Sequence, residues 1–130
     1  MGGNTTGFQK TFVFRATEDF DTIGMYQAVT YGTGEKEVIV PSEDNVIPVG
    51  VVTYQHEHRD GAHVAVQLDR ISEVKAAEAI AYGETVIVGA GGTVKKAAGV
   101  TGANILGVAQ STAQAGEMVQ VLIMPQLGGN

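Results

Sequence analysis

The sequence contains no cysteine, few charged residues and no long apolar run. Without cysteine the chain has neither disulfides nor a thiolate nucleophile, which excludes a disulfide-stapled secreted mini-domain. No apolar segment approaches the roughly 18 residues of a membrane span, and the first ten residues lack the basic and apolar regions of a signal peptide. We therefore expect no membrane partner.

Basic side chains are also scarce, with 8 Lys and Arg against 14 Asp and Glu and a net charge of −6. A nucleic-acid-binding protein needs a basic patch that neutralises phosphates. The densest basic cluster here is the pair Lys95 and Lys96. We therefore expect no nucleic-acid partner.

Glycine and apolar residues are abundant, with 18 glycines and 44% hydrophobic residues in 130 positions. That length suits one domain with one real core. Short segments rich in β-branched residues alternate with glycine-containing turns, which is typical of a small β-sandwich or barrel. We predict a mainly β fold with strands near residues 26–31, 37–40, 46–54, 62–68, 84–88, 93–96, 105–109 and 118–124.

The N-terminal region places Phe8, Phe12 and Phe14 at even spacing, which puts the three rings on one face of a strand. The rings either pack on the core or dock on a partner. We divide the chain into a flexible N-terminal arm with its first strand, residues 1–14, and a single β-rich domain, residues 15–130.

One segment between the predicted strands is rich in helix formers. Residues 72–82 begin with Ser72, which can cap a helix, and Gly83 follows them. The position of the segment between strands instead predicts an extended connection. On composition we favour one short helix over about 72–82.

The chain also contains a weak internal repeat. Ile23, Val29 and Gly50 recur as Ile80, Val86 and Gly107, each 57 residues later, and two Gly-x-x-Val-x-Val segments begin at residues 61 and 116, 55 residues apart. A fixed offset predicts two pseudo-duplicated halves that enclose one core. Such a repeat indicates a fold and not a function.

No pattern of catalytic residues is present. The chain has no Gly-x-Ser-x-Gly and no Walker loop, and the glycines at 89–92 precede β-branched residues where a dinucleotide loop would open a helix. We predict a hairpin turn there, no enzymatic activity and no cofactor. The turn-proximal lysines Lys95 and Lys96 leave open an alternative, a carrier or ligand-binding β-module within a larger complex.

Three histidines, His56, His58 and His63, flank an Asp60-Gly61 pair. Asp-Gly is favoured in two-residue hairpin turns, and such a turn would place His58 opposite His63 with His56 on the same face. A patch of three imidazoles could bind zinc weakly or respond to pH. An exposed polar hairpin tip without metal accounts for the same residues, and we expect no metal site.

Four short motifs follow one another in the second half of the chain, at residues 79–86, 92–97, 105–109 and 115–122. In their order and spacing they resemble the capsid decoration (cement) proteins of tailed bacteriophages, with Glu84 where that family usually has Asp. The first half matches more loosely, at residues 48–52 and 61–68. The resemblance covers roughly residues 20–124.

The resemblance implies a non-enzymatic structural protein. Such proteins bind the outer surface of an assembled shell of major capsid protein, often as homotrimers near three-fold or quasi-three-fold axes. They stabilise the shell against internal DNA pressure. The chain would then be made in the host cytoplasm and be located on the virion, and we take Phe8, Phe12 and Phe14 as candidate capsid contacts.

Overall fold

The computed structural model describes residues 9–55 and 57–128, which form ten β-strands. Their buried hydrophobic residues are mainly valines, whose branched side chains favour pleated strands over helices, and buried positions alternate with more exposed ones in several strands. The strands are β1 (Gln9–Phe14), β2 (Ala28–Tyr31), β3 (Glu37–Ile39), β4 (Pro48–Gln55), β5 (His63–Gln67), β6 (Arg70–Lys75), β7 (Thr85–Gly89), β8 (Thr93–Lys96), β9 (Ile105–Ala109) and β10 (Met118–Gln126). The prediction of a mainly β fold is confirmed.

The first five strands form a closed barrel in the order β1-β3-β2-β4-β5, and β1 closes it by pairing with both β3 and β5. The last five form a sheet in the order β6-β10-β9-β7-β8. Read around the barrel in the other direction from β1, the order is β1-β5-β4-β2-β3, and adding five to each strand number gives the order of the second sheet. The parallel contact that closes the barrel is represented in the second half by one parallel bridge, between Ala76 and Val94.

The predicted repeat is present in the pairing register. Val29 pairs with Gly50 across β2 and β4, and Val86 pairs with Gly107 across β7 and β9. The loops match too, because the Ile23 N–H donates to the His58 carbonyl and the Ile80 N–H donates to Ala113, both at 2.9 Å. The two halves are therefore the same strand arrangement, used twice.

The predicted helix over residues 72–82 is wrong. Residues up to Lys75 belong to β6, which pairs with β10 from Ile123↔Arg70 to Met118↔Lys75. Ser72, Val74 and Ala76 are buried while the residues between them are exposed, which is the period of a strand. Helix propensity differs by only a few tenths of a kcal/mol per residue, and burial of this face outweighs it.

Each half has its own apolar core, so the prediction that the two halves enclose one core is wrong. Phe14 and Val29 lie in the core of the barrel, whereas Val86 and Leu106 lie in that of the second sheet. Ala28 and Val51, which pair with each other in the barrel, pack into the second core and so join the halves. The described residues contain no helix that could cross a membrane.

Candidate functional site

The aromatic candidates of the first strand lie in the core. Phe14 is fully buried and Phe12 is 7% exposed. The Phe14 N–H donates to the Ala62 carbonyl, and its own carbonyl accepts the Gly61 N–H, both at 2.8 Å. Packing on the core is thereby confirmed for these two rings. Phe8 and the rest of residues 1–8 lie outside the described residues, and the contact role of the three phenylalanines stays a prediction.

The structure does not place His58 opposite His63. The Asp60-Gly61 turn is present, since the Ala62 N–H donates to the Arg59 carbonyl at 3.0 Å. However, the last pair of β4 and β5 among the described residues is Gln55↔Val64, a register that does not bring His58 opposite His63. The carbonyl of His58 accepts the Ile23 N–H at 2.9 Å, so this residue is bonded outside the predicted hairpin.

The imidazole of His58 instead joins the loop before β2. Its Nδ1 lies 3.1 Å from the Ile23 carbonyl oxygen and 3.3 Å from the Gln55 side-chain nitrogen. His56 lies outside the described residues. Within residues 9–55 and 57–128, no three acidic, histidine or cysteine side chains converge on a possible metal position.

Two carboxylates of the first half, those of Glu37 and Asp60, form ion pairs with Arg15 and connect parts of the barrel. Glu37 of β3 accepts a 2.7 Å hydrogen bond from Arg15, which also reaches Asp60 at 3.5 Å. The hydrogen bond from Arg15, followed by one from the Gly34 N–H, lowers the pKa of Glu37 below its usual value. These carboxylates connect β1, β3 and the Asp60-Gly61 turn, which is a structural use.

Asp44 links the two halves. Its carboxylate accepts hydrogen bonds from the Ala90 N–H and from Lys95 Nζ, both at 2.9 Å. Next to it, the Asn45 side chain accepts the Asn104 N–H at 2.7 Å. The loop before β4 is thereby fixed to the β7–β8 turn and to the segment before β9.

The glycine-rich segment at 89–92 is the predicted hairpin turn between β7 and β8, with the Gly92 N–H donating to the Gly89 carbonyl at 3.1 Å. Lys95 and Lys96 lie within β8 and not on this turn. A carrier domain presents its modified lysine at a turn. The geometry therefore removes the feature on which the carrier alternative was based.

Two adjacent clefts mark the surface where the halves meet. They have volumes of about 380 and 410 Å³. Tyr26, in the loop before β2, lines both clefts. Met25, Ile71 and Met118 contribute exposed apolar side chains around it. We call this area the junction surface.

No family model and no curated protein matches this chain. Among solved structures, the fold is similar to the N base of the head fiber protein gp8.5 of bacteriophage phi29, with a TM-score of 0.69 and 22% sequence identity. The alignment covers 90% of this chain and 95% of that one. The two proteins share a fold over nearly their whole lengths, including both halves.

Sequence reasoning missed the junction surface, although the repeat contained a signal for it. At an offset of 57, Tyr26 stands where the second half has Gly83. Both residues have a positive φ, 68° for Tyr26 and 90° for Gly83. A tyrosine in the place of a turn glycine could have been noticed by aligning the two halves.

The Asp44 link makes stability depend on pH. Hydrogen bonds from Ala90 and then Lys95 lower the pKa of Asp44 in the folded chain. Its stabilisation is therefore fully present above the pKa of an unfolded aspartate, about 3.9, and is lost as the pH falls through the folded pKa. We expect Asp44→Asn to lower the melting temperature at pH 7, and the difference from the wild type to shrink on acidification.

Melting curves between pH 7 and pH 2 check this expectation. The neighbouring Glu43→Gln is the matched control, because it removes an exposed carboxylate one residue away. A constant difference between Asp44→Asn and wild type across the pH range would contradict the role of the carboxylate.

Proposed function

We propose that this chain is a structural decoration protein of a bacteriophage head, which binds the outer surface of the assembled major capsid shell. The observation that carries the proposal is the shared fold with a head fiber base over 95% of that chain. The ordered motifs of residues 79–122 support it independently, because they resemble decoration proteins by sequence.

Several charged side chains form ion pairs that connect parts of the fold, which fits a non-catalytic role. Arg15, Glu37 and Asp60 connect barrel elements, and Asp44 and Lys95 connect the halves. A general acid or base needs a titratable side chain next to a substrate cleft, with a pKa suited to proton transfer. Structural hydrogen bonds lower the pKa values of Glu37 and Asp44, from Arg15 to Glu37 and from the Ala90 N–H to Asp44.

Decoration would stabilise the shell by linkage. A ligand that binds the closed shell and not its opened form shifts the opening equilibrium by its own binding free energy. Copies that bridge neighbouring capsomers act together, because the second contact of each copy is intramolecular. We propose a homotrimer at three-fold or quasi-three-fold positions, where each copy makes the same contact. Such binding would oppose the internal pressure of packaged DNA.

A co-sedimentation experiment tests this function. Purified chain is mixed with undecorated mature capsids and, separately, with procapsids of its own phage. We expect saturable binding to mature capsids at a fixed ratio to major capsid protein, and release of labelled chain by excess unlabelled chain. Decorated capsids should also lose their DNA at a higher temperature than undecorated ones.

Two results would contradict the proposal. Absence of saturable binding to either shell would contradict capsid decoration as the function of this chain. Saturable binding with an unchanged temperature of DNA release would remove the stabilising role and leave attachment alone.

A further inference from the structure

The backbone of Tyr26 is in the left-handed region, with φ of 68°. A side chain with a Cβ is uncommon there because Cβ approaches the following carbonyl oxygen. In the second half Gly83 occupies the same position, and the two N–H groups make equivalent hydrogen bonds, Tyr26 to Val52 at 2.7 Å and Gly83 to Ala109 at 2.8 Å. The turn therefore requires a left-handed residue in both halves, and glycine is the unstrained solution.

A strained residue that persists where glycine would fit points to a use for its side chain. The side chain of Tyr26 is 38% exposed and lines both clefts of the junction surface. Met25, Ile71 and Met118, each 40–50% exposed, lie around it. Tyrosine and methionine are enriched where proteins bind other proteins, which makes this surface a candidate interface.

The charges of the junction surface indicate its partner. The chain as a whole carries −6, so two copies repel each other over most of their surfaces. The charged residues that line the two clefts are Glu73 and Lys75, which balance. Both are exposed, and neither forms an ion pair with another residue in the part of the chain that the structure describes.

Glu73 and Lys75 lie two residues apart on the outward side of β6, hence about 7 Å from each other. We propose that the junction surface binds a second copy of this chain, with Tyr26 as its central residue. In a closed three-fold assembly, Glu73 of each copy faces Lys75 of the next, while Tyr26 and Met118 pack near the axis. This inference rests on the homotrimer of the proposed function and assigns its interface.

Tyr26→Gly separates association from folding. The variant inserts the residue that the second half uses, so the turn keeps its backbone without strain. We expect the melting temperature, measured at a concentration where the chain is monomeric, to stay near that of the wild type, because relief of backbone strain offsets the lost side-chain packing. In sedimentation equilibrium, we expect the self-dissociation constant to rise about tenfold or more, as for a central interface residue. Tyr82→Ala, which removes a more exposed tyrosine outside the clefts, should change neither quantity.

Charge reversal gives a second test that does not depend on the turn. Glu73→Lys and Lys75→Glu should each weaken association, because like charges then face each other, and the double variant should restore it. Glu35→Lys, an exposed charge reversal in the turn before β3, is the matched control and should leave the dissociation constant unchanged.

The outcomes are distinguishable from those of the capsid experiment. A wild-type chain that stays monomeric at all accessible concentrations, a Tyr26→Gly variant that associates normally, or a double reversal that fails to restore association would each overturn the assigned interface. Capsid binding could persist in all three cases. Conversely, normal self-association without capsid binding would overturn only the proposed function.

Discussion

Replacing Gly107 by alanine is expected to destabilise the second half of the molecule strongly. Gly107 lies in β9, opposite Ile123 of β10 and Val86 of β7. A Cβ at this position would overlap the Leu122 carbonyl oxygen and lie 2.8 Å from its carbonyl carbon. Because these atoms are backbone between two paired strands, they cannot move without breaking the sheet. We expect a loss of about 3 kcal/mol or more in the free energy of unfolding, measured by urea denaturation.

The repeat supplies a second position for the same experiment, and a glycine outside the paired strands supplies the control. Gly50 is equivalent to Gly107, and a Cβ there would overlap the Gln67 carbonyl oxygen of β5. We therefore expect Gly50→Ala to be similarly destabilising. Gly24→Ala is the matched control, since its added Cβ would meet only the Gln27 side chain, at 3.8 Å, and its φ is not positive. Equal stability of all three variants would show that strand spacing does not require these glycines.

The positions of most strands could be predicted because each is a short β-branched run between glycine turns. Residues 93–96 and 105–109 were predicted with the bounds that the structure has. In β6 the sequence favoured a helix, because Ala and Glu are good helix formers and the partner strand, β10, lies more than 40 residues later. The alternation of Ser72, Val74 and Ala76 was the better signal, since burial and not propensity decides such segments.

The pairing order could not be predicted from local pattern. The Asp60-Gly61 turn suggested a hairpin with His58 opposite His63, but Phe14 bonds to the turn and the His58 carbonyl accepts the Ile23 N–H. That choice depends on closure of the barrel, which is a property of the whole half. The internal repeat was the exception, since the offset that relates Val29 to Val86 also relates their partners, Gly50 and Gly107.

The candidate functional residues could also be predicted only in part. The even spacing of the phenylalanines correctly indicated a strand face, but spacing does not tell whether that face turns inward, and Phe12 and Phe14 do. The role of Tyr26 could be inferred only from its positive φ, because the equivalent Gly83 shows that the turn requires a left-handed residue. A duplicated fold therefore offers an internal reference, since a difference between equivalent positions marks what one half does in addition.

Phe14→Ala is expected to destabilise the barrel by about 3–5 kcal/mol, a large part of the roughly 5–15 kcal/mol typical of a domain. The ring is fully buried, and β1 pairs with two strands to close the barrel, so a cavity here cannot collapse without opening it. Phe14→Leu retains most of the volume and should cost less than about 1.5 kcal/mol. Urea denaturation of both variants separates the two roles assigned to this residue. If Phe14 served only as a capsid contact, Phe14→Ala would keep wild-type stability and lose capsid occupancy alone.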